Sequence, residues 1–289
     1  MRRFLTAADL REACELRAAH PEATLIAGGT DVMVGLNFGH WTASALLDLS
    51  RVPELREWSR DGDTVRLGAG VPYTRIVEEL GGELPGLARA ARTVGSAQIR
   101  NRATVGGNVG TASPAGDALP PLLAARASIE LASVRGERSV PAREFFLGPG
   151  RSALAGDEIV TAVRVPVGTG QFAKLGPRNA MVIAVASVAV TLDGQRRLAG
   201  CAVGSAAPTP VAASHAEEFA AAELDWDGGR PPGPALLARF GELAARATAP
   251  IDDVRGSADY RRHAVAVLAR RTLAWAWQEH RVNTGGADG

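Results

Sequence analysis

Two glycine turns in this chain have the composition of an anion-binding site. The first is Ala27-Gly28-Gly29-Thr30-Asp31, and the second is Thr104-Val105-Gly106-Gly107-Asn108. A diphosphate needs several backbone N–H groups directed at it, and glycine lets the main chain approach closely and adopt a positive φ. We therefore interpret the turns as two halves of one diphosphate cradle, which predicts a dinucleotide cofactor.

The first turn is weak evidence when it is taken alone. Gly28-Gly29 is equally typical of a tight turn between a strand and a helix. Neither turn matches GxGxxG or GxxxxGK[ST], which disfavours a Rossmann-type NAD site and an NTPase. Because Asp31 would repel a diphosphate, we expect it to brace the turn or cap the next helix, while Thr30 offers a hydroxyl.

The pattern around the turns predicts an α+β fold in several units. A helix capped by Thr6 is expected first, and then a strand, Thr24–Ile26, that leads into the first turn. The predicted units are residues 1–55 and 56–167, a C-terminal domain at 171–283 and a disordered tail at 284–289. Strands at 172–175, 181–192 and 196–203 predict a three-stranded sheet in the C-terminal domain. Three helices follow, at 214–222, 234–246 and 257–280.

Composition disfavours several classes of protein. The chain has 289 residues, and 32 Lys and Arg against 31 Asp and Glu give a net charge of +1 with few aromatic residues, so we expect no nucleic-acid partner. The five histidines show no HExxH spacing, which disfavours a metal site. The longest apolar run, 181–192, is too short to span a membrane. Charged residues soon follow the paired arginines at the N-terminus, so we expect a cytoplasmic protein rather than an exported one.

Cys14 and Cys201 are the only cysteines. An iron–sulfur cluster needs four ligands, so any such cluster must belong to another chain.

The second turn lies inside a longer run that carries a resemblance. Residues 98–120 read QIRNRATVGGNVGTASPAGDALP. This run resembles the signature of the FAD-binding subunit or domain of the molybdenum hydroxylases, the group that contains xanthine dehydrogenase, aldehyde oxidase and carbon monoxide dehydrogenase. In that family an AGG-type turn near the N-terminus and a T-[IV]-GGN turn downstream hold the FAD pyrophosphate.

The resemblance covers nearly the whole chain. Leu154–Val160 resembles the family segment that leads into the strand bordering the flavin ring, and Phe172, Lys174 and Arg178 resemble its F-x-K-x-x-x-R motif. Residues 250–262 resemble the stretch before its last helix. The resemblance implies a two-lobed FAD-binding domain of the vanillyl-alcohol-oxidase (PCMH) type, followed by a small α+β domain.

The resemblance also implies which residues bind the cofactor. Gly29 and Thr30 should lie nearest the phosphates, and Ile159 or Val160 should pack on the flavin ring. The full set of implied FAD contacts is Ala27, Gly28, Gly29, Thr30, Asp31, Thr104, Gly107, Asn108, Asp117, Ile159, Val160 and Lys174.

Two of these residues have an ordinary structural alternative. Asp117 matches an aspartate that binds hydroxyls of the cofactor, yet it is placed equally well to cap a helix at 118–124. Lys174 matches a lysine at the pyrimidine edge of the flavin, where a cation would raise the reduction potential, but a solvated surface lysine is the alternative. Val94 stands where some family members have an aromatic residue, and Tyr73, Phe145, Phe146 and Phe172 are possible substitutes.

The implied function is electron transfer within a complex. A molybdopterin-binding large subunit would hydroxylate the substrate, [2Fe-2S] centres of a small subunit would relay the electrons, and FAD on this chain would pass them to NAD or another acceptor. A xanthine dehydrogenase-like complex, assembled as a dimer of heterotrimers, is favoured over a carbon monoxide or aldehyde dehydrogenase. Two further hypotheses are a self-contained FAD oxidase or reductase and a flavin-free assembly module. The oxidase would need a base over the flavin, which the sequence does not offer.

Overall fold

The computed structural model describes residues 3–178 and 180–285. Within these residues the first unit is a parallel sheet in the order β1-β3-β2 with two helices. Its middle strand is apolar and almost wholly buried, as is usual where helices cover a parallel sheet. In chain order its elements are β1 (Arg3–Thr6), α1 (Leu10–Ala19), β2 (Thr24–Ile26), α2 (Val32–Asn37) and β3 (Ala45–Asp48).

The start of α1 differs from the prediction. Thr6 is the last residue of β1, where it pairs with Asp48 of β3, so it does not cap the helix. Asp9 is the N-cap, and its Oδ1 accepts a hydrogen bond of 2.7 Å from the Glu12 amide. A carboxylate at this position satisfies one of the free amides of the first turn.

The second unit is an antiparallel sheet, with the order β4-β5-β10-β6-β7 in the described chain. Its central strand, β10, is apolar and buried over most of its length, so it forms the middle of the core. The elements of this unit are β4 (Trp58–Asp61), β5 (Thr64–Gly68), α3 (Tyr73–Glu79), α4 (Pro85–Thr93), α5 (Ala97–Arg100), α6 (Val105–Thr111), α7 (Leu119–Ala124), β6 (Ser128–Ser133), β7 (Gly136–Pro141), α8 (Ala142–Phe145), β8 (Phe146–Gly148), β9 (Arg151–Ser152) and β10 (Ile159–Pro166).

The C-terminal unit adds an antiparallel sheet and helices. Its elements are β11 (Thr169–Leu175), β12 (Ala186–Asp193), β13 (Leu198–Gly204), β14 (Val211–Ala212), α9 (Ser214–Glu223), α10 (Pro234–Arg246) and α11 (Ala258–Gly285). The sheet of the described residues has four strands rather than the predicted three, because β14 adds a two-residue edge to β13. A pair so short leaves no periodicity that a sequence pattern can show.

The two largest errors in predicted boundaries of this unit are at the start of β12 and the end of α11. β12 begins at Ala186 rather than Met181, and the side chains of Met181 and Ile183 are exposed. α11 continues beyond His280, and the Thr284 hydroxyl donates to the His280 carbonyl, so residues 284–285 are helical rather than part of a tail. Residues 286–289 of the predicted tail lie outside the described residues.

Packing joins the three units. One hydrophobic core runs through the first two sheets and takes in Phe172, Ala189 and Ala202 from the third. A partly buried ion pair crosses the same boundary, since Arg143 Nη1 donates to Glu217 Oε2 at 2.9 Å. No helix of the described residues is long and apolar enough to cross a membrane.

Candidate functional site

The first glycine turn connects β2 to α2. Gly29 has a φ of +77°, which an L-residue adopts only with strain. A Cβ on Gly28 would collide with the backbone carbonyl of Arg102, two residues before Thr104. Glycine is therefore required here by a close approach of the second turn's segment.

The second glycine turn is the beginning of α6. Thr104 is its N-cap, and the Thr104 hydroxyl accepts a hydrogen bond of 3.0 Å from the Gly107 amide. The Gly106 amide donates to the Ala69 carbonyl at 2.9 Å, and a Cβ on Gly106 would collide with Ala69. The sequence VGGNVGT has a low helix propensity, so the cap and these tertiary contacts hold the helix.

A side-chain bond connects the two turns. The Thr111 hydroxyl at the end of α6 donates to Asp31 Oδ2 at 3.0 Å. Asp31 is the N-cap of α2 by position, but its side chain accepts no hydrogen bond from the described backbone of that helix. Of the two expected roles, bracing is therefore the one that the contacts support.

Both turns line one cavity of about 440 Å³. That volume falls in the usual range for small-molecule sites. Ten of the twelve predicted contacts line it: Ala27, Gly28, Gly29, Thr30, Asp31, Thr104, Gly107, Asn108, Ile159 and Val160. Two segments far apart in sequence thus contribute to a single site with β10.

Asn108 presents a free acceptor at this site. Its side-chain Oδ1 is buried and has no hydrogen-bond partner among the described residues. The amide group packs on Gly116, where a Cβ would come within 3.0 Å of both of its polar atoms. A buried amide oxygen without a partner is costly, so this oxygen is suited to a ligand hydroxyl or amino group.

Four aromatic residues were considered as substitutes for Val94, and of these Tyr73 lines the cavity. It is fully buried, and its hydroxyl has no partner in the described part of the chain. Burial, with the nearby charges of Asp117 and Asp31, raises the Tyr73 pKa well above its ordinary value. Val94 lines the cavity as well, whereas Phe145, Phe146 and Phe172 do not.

Sequence reasoning missed Arg17 and Trp41, which also line the cavity. For Arg17 a signal was present, because it lies three residues after Cys14 on the apolar face of α1. Trp41 covers Gly35 in α2. No periodic pattern marks it, since it follows the end of that helix.

Asp117 and Lys174 are brought together outside this cavity. Lys174 Nζ lies 2.6 Å from Asp117 Oδ2, and the two side chains are 10% and 9% exposed. The Thr93 hydroxyl also donates to Asp117 Oδ2, at 3.2 Å. Burial raises the Asp117 pKa, and the Lys174 charge opposes this shift.

These contacts exclude the two alternative roles, a helix cap for Asp117 and a solvated surface position for Lys174. Ala118, not Asp117, is the N-cap of α7, and Lys174 is not a solvated side chain. Asp117 Oδ1 is buried and unpartnered within the described residues, so one carboxylate oxygen is free to accept from a ligand.

Lys174 lines a second cleft of about 260 Å³. Three cations line it, Arg92, Lys174 and Arg178, and the rest of its wall is Thr93, Gly95, Gly176, Ala180, Met181 and Val182. Val94 lines the large cavity, while its neighbours on both sides line the cleft. A single stretch of chain therefore separates the two concavities.

Comparison with known families covers most of the chain. The family described as FAD binding domain in molybdopterin dehydrogenase matches residues 1–168. The family described as CO dehydrogenase flavoprotein C-terminal domain matches residues 171–276.

Similar proteins match over nearly their whole length. The chain is 34% identical to the xanthine dehydrogenase FAD-binding subunit of Escherichia coli O157:H7, over 93% of this chain and 94% of that protein. It is 33% identical to the nicotine 6-hydroxylase medium subunit of Paenarthrobacter nicotinovorans, over 95% and 96%. Among solved structures, quinoline 2-oxidoreductase from Pseudomonas putida 86 has a chain that superposes with a TM-score of 0.88 at 26% identity, over 97% of this chain and 98% of that one.

Proposed function

Because the chain belongs to the FAD-binding subunits of the molybdenum hydroxylases, an oxidoreductase family, we propose that it carries electrons from [2Fe-2S] centres to NAD or another acceptor. The observation that carries the proposal is the meeting of the two glycine turns at one cavity, with Gly28 packed against the Arg102 carbonyl. FAD supplies an exchange of electrons singly or in pairs when it is bound.

The cavity fits the diphosphate and the sugars of FAD. Gly28, Gly29 and Gly107 keep side chains away from the cradle, so main-chain amides can approach the phosphates. The free Asn108 oxygen and the Tyr73 hydroxyl in this cavity are suited to the cofactor's hydroxyl and amino groups, and so is the free Asp117 oxygen outside it. We propose that the twelve predicted residues form its binding site, Ile159 and Val160 through apolar packing and Asp31 through its bond to Thr111. We also propose the unit boundaries at residues 55 and 167.

The pair of Lys174 and Asp117 would lie at the flavin end. Lys174 Nζ donates a hydrogen bond to the buried Asp117 carboxylate, so the lysine charge is largely compensated in the described structure. Lys174 then raises the reduction potential less than a free cation would. Its second task is to hold Asp117 Oδ1 in position for the cofactor.

The second cleft supports an anionic acceptor. Arg92, Lys174 and Arg178 provide positive charge beside the proposed flavin end, and a nicotinamide dinucleotide has a diphosphate that such a cluster attracts. This supports NAD as the acceptor.

The remaining cofactors are assigned to partners. Cys14 and Cys201 are both buried, and two cysteines cannot hold a four-ligand cluster. We propose a molybdopterin-binding large subunit and a [2Fe-2S] small subunit, arranged as a dimer of heterotrimers in the cytoplasm. The relatives named above act, by their names, on different compounds. The xanthine dehydrogenase-like complex remains our favoured assignment, ahead of a carbon monoxide or aldehyde dehydrogenase.

Isolation of the native complex tests this proposal. The tagged chain is purified with its companions, the visible spectrum is recorded, and the companions are identified by mass spectrometry. We expect bound flavin, a molybdopterin-containing large chain and a small chain with two [2Fe-2S] centres, and bleaching of the flavin band by NADH. A colourless chain without companions would contradict the proposal.

A further inference from the structure

Arg17 is a buried cation that the residues assigned to the cofactor leave unused. It is 9% exposed, on α1, and it lines the large cavity. Its Nη1 donates to the Ala23 carbonyl at 2.6 Å. Its Nε is buried and has no hydrogen-bond partner within residues 3–178 and 180–285. An unsatisfied guanidinium donor in a cavity wall is costly unless a ligand accepts from it.

Arg17 lies at the far end of β2 from the diphosphate cradle. The guanidinium contacts Ala23, where β2 begins, whereas the first glycine turn follows Ile26, where β2 ends. An extended strand over this interval covers about 10 Å at ~3.3 Å per residue. Arg17 is thus well placed for a group beyond the phosphates rather than for the phosphates themselves.

This end of the cavity also offers main-chain hydrogen-bonding groups. β2 is an edge strand, since it pairs with β3 on one side and with no described strand on the other. Ile26 directs its carbonyl to Leu49, beyond β3, so the alternate residue Leu25 directs its amide and carbonyl to the open edge. Thr24, Leu25 and Ile26 all line the cavity. An adjacent donor and acceptor complement the edge of a purine base.

Apolar side chains share the cavity with Arg17. Leu49, Leu55, Ile159 and Val160 are buried and line the same cavity. Flat apolar walls with a guanidinium suit an aromatic ring, on which arginine can stack or to which it can donate.

We infer that Arg17 and the open edge of β2 bind the adenine of the dinucleotide, so that Arg17 makes the site selective for FAD over FMN. This inference rests on the proposed function, because it requires FAD in the cavity. It assigns Ile159 and Val160 to the adenine rather than to the flavin ring.

Affinities of three ligands test the inference. The full chain is freed of flavin and titrated calorimetrically with FAD, with ADP, which keeps the adenine and the diphosphate, and with FMN, which lacks the adenine. The variants are Arg17→Met, which keeps much of the chain length but removes the guanidinium, and Arg17→Lys, which keeps the charge but not the planar donors. Arg11→Met is the matched control, since Arg11 lies on the same helix with its side chain 78% exposed. Far-UV circular dichroism checks the fold of each.

Arg17→Met should lower the affinities for FAD and ADP by the same factor, about 10- to 100-fold, and leave the affinity for FMN unchanged. Arg17→Lys should give an intermediate loss, which tests the inference even if the methionine variant does not fold. An equal loss for FMN, or unchanged affinity for FAD and ADP, would overturn the adenine assignment alone. A wild-type chain that binds none of the three ligands would overturn the proposed function and, with it, this inference.

Discussion

The large cavity and the Asp117–Lys174 pair are built in different ways. At the cavity, main chain meets main chain: Gly28 lies against the Arg102 carbonyl, and Gly106 lies against Ala69. At the pair, two side chains from segments far apart in sequence meet. Asp117 Oδ2, before α7, lies 2.6 Å from Lys174 Nζ on β11. The cavity is therefore specified by the absence of side chains, and the pair by the presence of two opposite charges.

This difference decides how each region responds to mutation. A new side chain at Gly107 acts on the ligand, because no described backbone blocks the space that it enters, whereas one at Gly28 or Gly106 would collide with the neighbouring segment. Loss of one member of the buried pair acts first on the fold, because the other charge stays buried without compensation.

The largest effect is expected for Gly107→Asp. Of the described atoms, a Cβ at this position approaches only the Thr104 hydroxyl, at 3.2 Å, so the backbone tolerates the side chain. A carboxylate about 4 Å from a phosphate costs about 4 kcal/mol at an effective dielectric constant of ~20, which corresponds to about a thousandfold in affinity. We expect the purified variant to retain no FAD, measured as the ratio of flavin to protein absorbance.

Gly107→Asn is the control for this variant, since it has nearly the same shape without the charge. We expect it to lower the affinity for FAD by about tenfold or less. Wild-type flavin content in Gly107→Asp would show that this part of α6 does not face the phosphates.

An effect of similar size, now on stability, is expected for Lys174→Met. Breaking a buried pair costs about 3–5 kcal/mol of unfolding free energy. Burial raises the Asp117 pKa, and removal of Lys174 raises it further, since the lysine charge lowers it. The folded state then binds a proton that the unfolded state releases, so the variant loses stability as pH rises through the interval between the unfolded and folded pKa values.

The double variant Lys174→Met, Asp117→Asn removes the carboxylate and serves as the comparison. Urea unfolding at several pH values should show Lys174→Met approaching the double variant at acidic pH and falling below it at neutral pH. A difference that does not change with pH would mean that lost packing, and not an uncompensated charge, is the cost.

The smallest effect is expected for the Asp31–Thr111 bond. Thr111→Val removes the donor and should cost about 0.5–1.5 kcal/mol of unfolding free energy. Asp31→Asn keeps an acceptor oxygen and should cost no more than that, with FAD affinity within about threefold of wild type. Thermal unfolding and FAD titration measure both. A loss of FAD affinity far larger than the loss of stability would place Asp31 on the ligand rather than on the second turn.

Much of the fold followed from sequence because local signals were strong. β2 and α10 have the predicted bounds, and proline at the first helical position marks α10. α5 and α6 were not predicted as helices, since a seven-residue helix with three glycines has no propensity of its own. β14 was missed for a related reason, as its two residues pair only because the sheet already exists.

The candidate site, too, has parts that the sequence predicted and parts that it did not. Sequence pointed to both turns and to Asp117 and Lys174 but did not show that the last two contact each other. Arg17 was passed over, because its place on the apolar face of α1 does not by itself show that the guanidinium lines a cavity rather than reaching solvent.

By itself, the sequence determined the two glycine turns, the family resemblance that surrounds the second, and the lack of cysteines for a cluster on this chain. These depend on residue identity and on contacts within a few positions. The tertiary structure alone decided that Gly28 meets the Arg102 carbonyl, that Asp31 braces the turns, and that Asp117 pairs with Lys174. Such contacts join segments far apart in the chain, and burial fixes their energies, which only the packed fold sets.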